Sequence, residues 1–178
     1  MRFILNIALF TFVFVNAVAL MGGQVLAETK IGVVDVRYIM SQSSAAKSIL
    51  EQRKSMQESF LKEISGSEQK LRDDEQALAK KRESLSAEDF IDEKKEFELK
   101  VYKAQNEAQQ KKKTLEERVA KAMNTLQEKL VSVIQELAEE KGYDLVLTKQ
   151  NIIVGTDSID LTEDAMKRLN KELSNVKL

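Results

Sequence analysis

The sequence predicts an α+β, mainly α protein: a long antiparallel helical hairpin, a coiled-coil arm, projecting from a small β-body. Two observations lead there. Residues 41–141 are charged, free of proline and hold a single glycine, Gly66. Short apolar, β-branched segments lie on either side, and neither could bury itself alone. Residues 28–43 and 142–178 are therefore read as one shared body, and residues 44–141 as the arm.

The first residues have their own signature. Arg2 precedes an almost wholly apolar run from Phe3 to Leu20. Gly22 and Gly23 break that run, and Val25-Leu26-Ala27 ends on a small side chain. This order predicts a cleavable secretory signal peptide over residues 1–27, and hence an extracytoplasmic protein. An uncleaved membrane anchor is the competing reading, since the run approaches the length that spans a bilayer.

Composition narrows the function. The sequence has 28 basic and 29 acidic residues, and no His, Cys, Pro or Trp. Nucleic-acid binding calls for a clear basic excess, which is missing. Without His or Cys there is no ordinary general base near neutral pH, no thiolate and no Cys/His zinc site. No glycine-rich phosphate loop is present either. These absences argue against an enzyme, and no cofactor is expected. Acidic pairs such as Asp73-Asp74 sit on a long charged helix and read as solvated surface.

The elements follow in order. Lys30-Ile31-Gly32-Val33-Val34-Asp35-Val36 reads as a buried strand, with Asp35 capping a short helix through Arg37–Met40. The outgoing arm helix is expected over Ser44–Leu85, about 60 Å long, and the return helix over Ala87–Lys141, about 80 Å. Ser86 with Asp89 resembles a capping box at the start of the return helix, and Gly142 is its C-cap.

Leu50, Ile64, Leu71, Leu78 and Leu85 form a seven-residue ladder broken by Gln57, with Phe60 on the adjoining ladder. The return helix carries Phe97, Val101, Ala104, Ala108 and Leu115. It then runs through Val119, Ala122, Leu126, Leu130, Val133 and Leu137 with an eleven-residue period, which keeps the stripe nearly straight. A well-packed base and a thin, mobile arm are expected.

Beyond Gly142, Tyr143–Thr148 reads as a strand, Lys149-Gln150-Asn151 as a turn and Ile152-Ile153-Val154 as another strand. Thr162 is then expected to cap a final helix with the stripe Ala165, Met166, Leu169, Leu173 and Val176. A sheet this small has open edges that invite pairing. Its apolar residues Ile31, Val33, Val34, Val36, Leu145, Val146, Leu147, Ile152, Ile153 and Val154 are thus the expected oligomerisation body.

The run Lys30–Asp35, then Tyr38-Ile39-Met40 and Ser44-Ala45-Ala46-Lys47, resembles the start of the Skp/OmpH family of periplasmic chaperones. Gly142–Leu147, Ile159-Asp160-Leu161-Thr162 and Leu169-Asn170 resemble its end. The resemblance implies a homotrimer whose β-barrel body carries three helical arms around a cavity. Unfolded outer-membrane proteins would be held there, without ATP, on their way across the periplasm. One feature departs from the strongly basic members linked to lipopolysaccharide: residues 68–100 hold eight basic and eleven acidic residues. The clusters Lys80-Lys81-Arg82 and Lys111-Lys112-Lys113 leave room for a weak membrane-surface contact only.

A holding chaperone needs dispersed, adaptable contacts. Met56, Phe60, Phe90, Phe97 and Tyr102 are candidate client contacts, although each also suits packing between the arm helices. Phe90 stands out because it lies where the partner helix is ending. Gly66 is a candidate hinge or a tolerated surface glycine. The competing role is an envelope tether or spacer, held by an uncleaved N-terminal anchor.

Overall fold

A computed structural model describes residues 28–178; the expected signal peptide lies outside the described residues. The chain runs β1 (Ile31–Val34), α1 (Val36–Gln42), α2 (Ser44–Lys81), α3 (Ala87–Lys141), β2 (Leu145–Thr148), two single 3-10 turns (Lys149–Asn151 and Asp157–Ile159) and α4 (Thr162–Glu172). The helical arm on a small β-body is as expected. No helix among the described residues is long and apolar enough to cross a membrane.

Local chemistry sets most boundaries. The Asp35 carboxylate accepts from the Tyr38 backbone N–H and starts α1 one residue earlier than expected, at Val36. Ser43 separates α1 from α2: its N–H donates to the Ile39 carbonyl, and its hydroxyl accepts from Ala46. At the arm tip, α2 ends at Lys81, short of Leu85. The N–H groups of Ser84 and Leu85 both return to the Lys81 carbonyl, closing a turn instead of another helical turn. Ser86 then caps α3 by accepting from the Asp89 N–H, while its hydroxyl donates to the Asp89 carboxylate at 2.7 Å. The capping pair therefore closes side chain to side chain.

At the other end of α3, Gly142 takes φ 66°, the left-handed conformation in which a side chain would be strained. Tyr143 donates to the Ala138 carbonyl at 2.8 Å and Gly142 to Glu139 at 3.3 Å, the paired bonds of a Schellman stop.

The sheet has two strands, paired in parallel with Ile31 opposite Leu145 and Val34 opposite Thr148. On its other side β1 meets the chain again, through a single parallel bridge from Val33 to Asp160. The Leu161 N–H donates to the Val33 carbonyl at 2.8 Å. The expected strand at Ile152–Val154 does not form. No neighbouring strand among the described residues reaches it, and Ile153 and Val154 are 100% and 88% exposed.

The final helix also differs. Thr162 is its first residue, not its cap, and the hydroxyl instead accepts from the Asp35 N–H at 2.8 Å. The Asp160 carboxylate takes the Thr162 N–H. The helix stops at Glu172, leaving Val176 on a non-helical tail that still packs on the core.

That core sits at the arm base. Ile39, Ala45, Ala46 and Ile49 meet Ala122, Leu126, Leu130, Val133 and Leu137 of α3, closed over by Leu161, Ala165, Met166 and Leu169. The eleven-residue stripe on α3 is thus the buried one. Alanines at 45, 46, 122 and 165 let the helix backbones approach, and each large side chain buried there contributes about 1.5–3 kcal/mol.

Candidate functional site

The arm is packed only shallowly along its length. Between Ile49 on α2 and Ala122 on α3, none of the described residues of the hairpin is fully buried. A half-buried seam runs through Met56, Phe60, Ile64, Leu71 and Leu78, facing Phe97, Val101, Ala104, Ala108 and Leu115. Leu50 was expected on this seam but is 63% exposed, since Ile49 takes its place. Two alanines and a half-buried Ser67 keep the seam shallow.

Three cross-helix ion pairs mark constant register: Glu63–Lys111, Asp74–Lys100 at 2.8 Å and Lys81–Glu93 at 2.8 Å. The steps 63, 74, 81 on α2 mirror 111, 100, 93 on α3. These pairs are exposed, so they specify alignment and add little stability. The hydrogen bond to Asp74 raises the Lys100 pKa.

The seam is underfilled halfway along the arm. Between Ala108 and Leu115, α3 borders α2 with the exposed Lys111 and Lys112. Grooves open on both faces beside Phe60 and Leu115. One, about 350 Å³, is lined by Met56, Ser59, Phe60, Glu63, Lys111 and Arg118, among others. The other, about 430 Å³, includes Arg53, Gln57, Leu61, Lys112, Glu116 and Ala120.

The expected contact residues divide accordingly. Met56, Phe60, Phe90 and Phe97 are half-buried in the seam, with Met56 and Phe60 also lining grooves. Tyr102 stands out from the seam at 63% exposure. Gly66 lies in unbroken helix, exposed, with open space where a Cβ would stand. Leu61, Ile91, Leu99 and Val131, all more than half exposed, were not singled out from the sequence. Their signal is phase: they fall off the seam periodicity while remaining apolar.

In the body, Val33 and Val34 are buried within the chain, and Val36, Val146, Leu147 and Ile152 are half-covered. Ile31, Leu145, Ile153 and Val154 remain exposed.

Ion pairs tie α4 to the base of α3. Arg168 grips Glu140 with two bonds of 2.7 and 2.5 Å, which lowers the Glu140 pKa. Lys141 pairs with Asp164 and lowers its pKa likewise. Burial pushes Asp160 up, but hydrogen bonds from Lys149 and Thr162 outweigh it and the net shift is downward. Lys129 is raised by its hydrogen bond to Glu172.

This geometry leaves half-covered apolar surface along an arm, with the buried core gathered at one end. Known proteins place it. No curated protein matches the sequence. Among solved structures, a candidate outer membrane chaperone (OmpH-like) from Caulobacter crescentus matches with a TM-score of 0.77 at 16% identity, over 85% of this chain and 90% of that one. The sequence pattern of the OmpH-like outer membrane protein family matches residues 30–169. The chain belongs to the OmpH-like family.

Proposed function

We propose that the protein is an ATP-independent holding chaperone of the periplasm. It binds unfolded outer-membrane proteins between the helical arms of a homotrimer and keeps them from aggregating in transit. The observation that carries this reading is the arm itself: its seam stays half-buried from Ile49 to the tip and back to Ala122, leaving apolar contact area available along its length. Many shallow contacts suit a client that must be released without an energy source.

Family membership supports a chaperone-type role and a periplasmic site of action. Residues 1–27 would act as the cleaved export signal. The body supports assembly, because Ile31, Leu145, Ile153 and Val154 stay exposed in the single chain. Three copies would cover these side chains and give Ile152–Val154 strand partners. Met56, Phe60, Phe90, Phe97 and Tyr102 would contribute client contacts, and Gly66 a bending point.

The test is an aggregation assay with a urea-unfolded outer-membrane β-barrel and the purified protein from Glu28 onward. Suppression at modest molar excess is expected. Unhindered aggregation would overturn the reading. Light scattering should give three times the chain mass, falling to one for Ile153→Asp with Leu145→Asp.

A further inference from the structure

We propose that one face of the hairpin, bearing Leu50, Leu61, Ile91, Tyr102 and Val131, takes up extended apolar segments of a non-native chain that carry acidic neighbours. This assignment rests on the holding role above and says which side of the arm performs it.

The large apolar residues left exposed on the two arm helices are Leu50, Leu61, Ile91, Leu99, Tyr102 and Val131, each between 52% and 63% exposed. They are not scattered. At 3.6 residues per turn, Leu50 and Leu61 fall within about 20° of each other on α2, and so do Ile91 and Tyr102 on α3. Val131 lies about 20° from Tyr102, and Leu99 about 60°.

The two stripes belong to the same side of the hairpin. Leu61 lines the groove that Lys112, Glu116 and Ala120 border from α3. Ala120 lies directly in line with Tyr102, five turns along. The opposite groove is edged by Ser59, Glu63, Gln110, Thr114 and Arg118. On that side α2 continues through Ser55, Lys62 and Lys70, and α3 through Glu96, Lys103 and Glu107, all polar. Five of the six large exposed apolar side chains of the hairpin therefore gather on one side of it, among charged ones such as Glu68 and Arg72.

Charge favours the occupant. Arg53 and Lys112, which line the Leu61 groove, form no ion pair among the described residues, and Glu116 is the carboxylate beside them. On the other face Lys111 is held by Glu63, and Arg118 is the one cation lining that groove without an ion pair among the described residues. The apolar face thus offers uncommitted cations next to Leu61, which complements a segment mixing apolar and acidic side chains. Anchors eleven residues apart stand about 16 Å apart along a helix. An extended chain covers that distance in about five residues.

The experiment places the photo-crosslinking residue benzoylphenylalanine at position 61, 62, 102 or 103 of the full exported chain. Each variant is mixed with a urea-unfolded outer-membrane β-barrel and irradiated. Crosslinks to the β-barrel from 61 and 102, well above those from 62 and 103, are expected. The double variant L61Q/Y102Q should weaken client binding about tenfold, as the loss of two apolar contacts implies. K62Q/K103Q should leave it unchanged, with circular dichroism reporting intact helix in both. Equal crosslinking from both faces, alongside normal suppression of aggregation, overturns the face assignment alone. Crosslinks from 61 and 102 to a second copy of this chain, with or without client, also overturn it. Failure of the unmodified protein to suppress aggregation removes the holding role and the face assignment together.

Discussion

The side chain of Gln52 clasps the C-terminal tail at Val176: its amide donates to the Val176 carbonyl at 2.7 Å, and its carbonyl accepts from the Leu178 N–H at 3.2 Å. One side chain thereby imitates a strand neighbour for a segment that has none. The neighbouring bond from the Ser48 hydroxyl to Asn175 extends the clasp by one helical turn. Gln52 lies one turn beyond Ile49, the last buried residue of α2, so the tail buttresses the point where arm leaves body. Gln52→Ala should lower stability by about 1–2 kcal/mol, read by urea unfolding. Amide exchange should accelerate at residues 174–178 and stay unchanged at the arm tip.

Base and arm should respond differently to truncation. Leu130 is 1% exposed in the buried cluster that all four helices share, and Leu130→Ala should cost about 2–5 kcal/mol. Leu71 is only half-buried, and Leu71→Ala should cost about 1 kcal/mol or less. Similar losses in thermal unfolding would contradict the contrast between a packed base and a shallow seam.

Two glycines predict opposite signs. A Cβ on Gly32 would stand 2.8 Å from Leu161 Cδ1 and 3.2 Å from Tyr143 Cδ1. Leu161 is itself buried, so it has little room to yield, and Gly32→Ala should destabilise by about 1–3 kcal/mol. Gly66 meets nothing, and Gly66→Ala should stabilise by about 1 kcal/mol through helix propensity. If Gly66 also bends the arm, spin-label distances from base to tip should narrow in Gly66→Ala; an unchanged distribution removes the hinge.

Acid should loosen the α4 side of the body first. Glu140, Asp160 and Asp164 all have folded-state pKa values below their ordinary ones of 4.5, 3.8 and 3.8. The unfolded chain then binds protons more readily than the folded one as pH falls. The stability these groups contribute is therefore complete above about pH 5 and is lost as pH falls through the folded values. Melting temperature should hold from pH 7 to 5 and fall below pH 4.5. Glu140→Gln, which removes the charged partner of Arg168, should flatten part of that fall.

The helical hairpin, its caps at Ser86 and Gly142 and the buried stripe from Ala122 to Leu137 were legible in the sequence. Each depends on neighbours within a few residues, where spacing and side-chain type state the answer directly. The Asp35 cap was legible for the same reason. The apolar ladder runs on to Leu85 and so overstates α2, because the Leu85 N–H closes a turn onto Lys81. The same ladder points to Leu50, but the seam shifts by one residue where the base core begins at Ile49.

Tertiary structure alone decided what joins distant parts of the chain. The bond from the Lys30 N–H to Asp144 links residues 114 apart in sequence, and the one from Asp35 to Thr162 links residues 127 apart. Parallel pairing of β1 with β2, the diversion of Thr162 from capping to bracing, and the unpaired state of Ile152–Val154 all follow from such meetings. The same holds for the single face that gathers Leu61 and Tyr102, because two helices must first be set side by side before a face exists. Periodicity encodes which side of one helix is apolar; it carries no statement of which partner that side will meet.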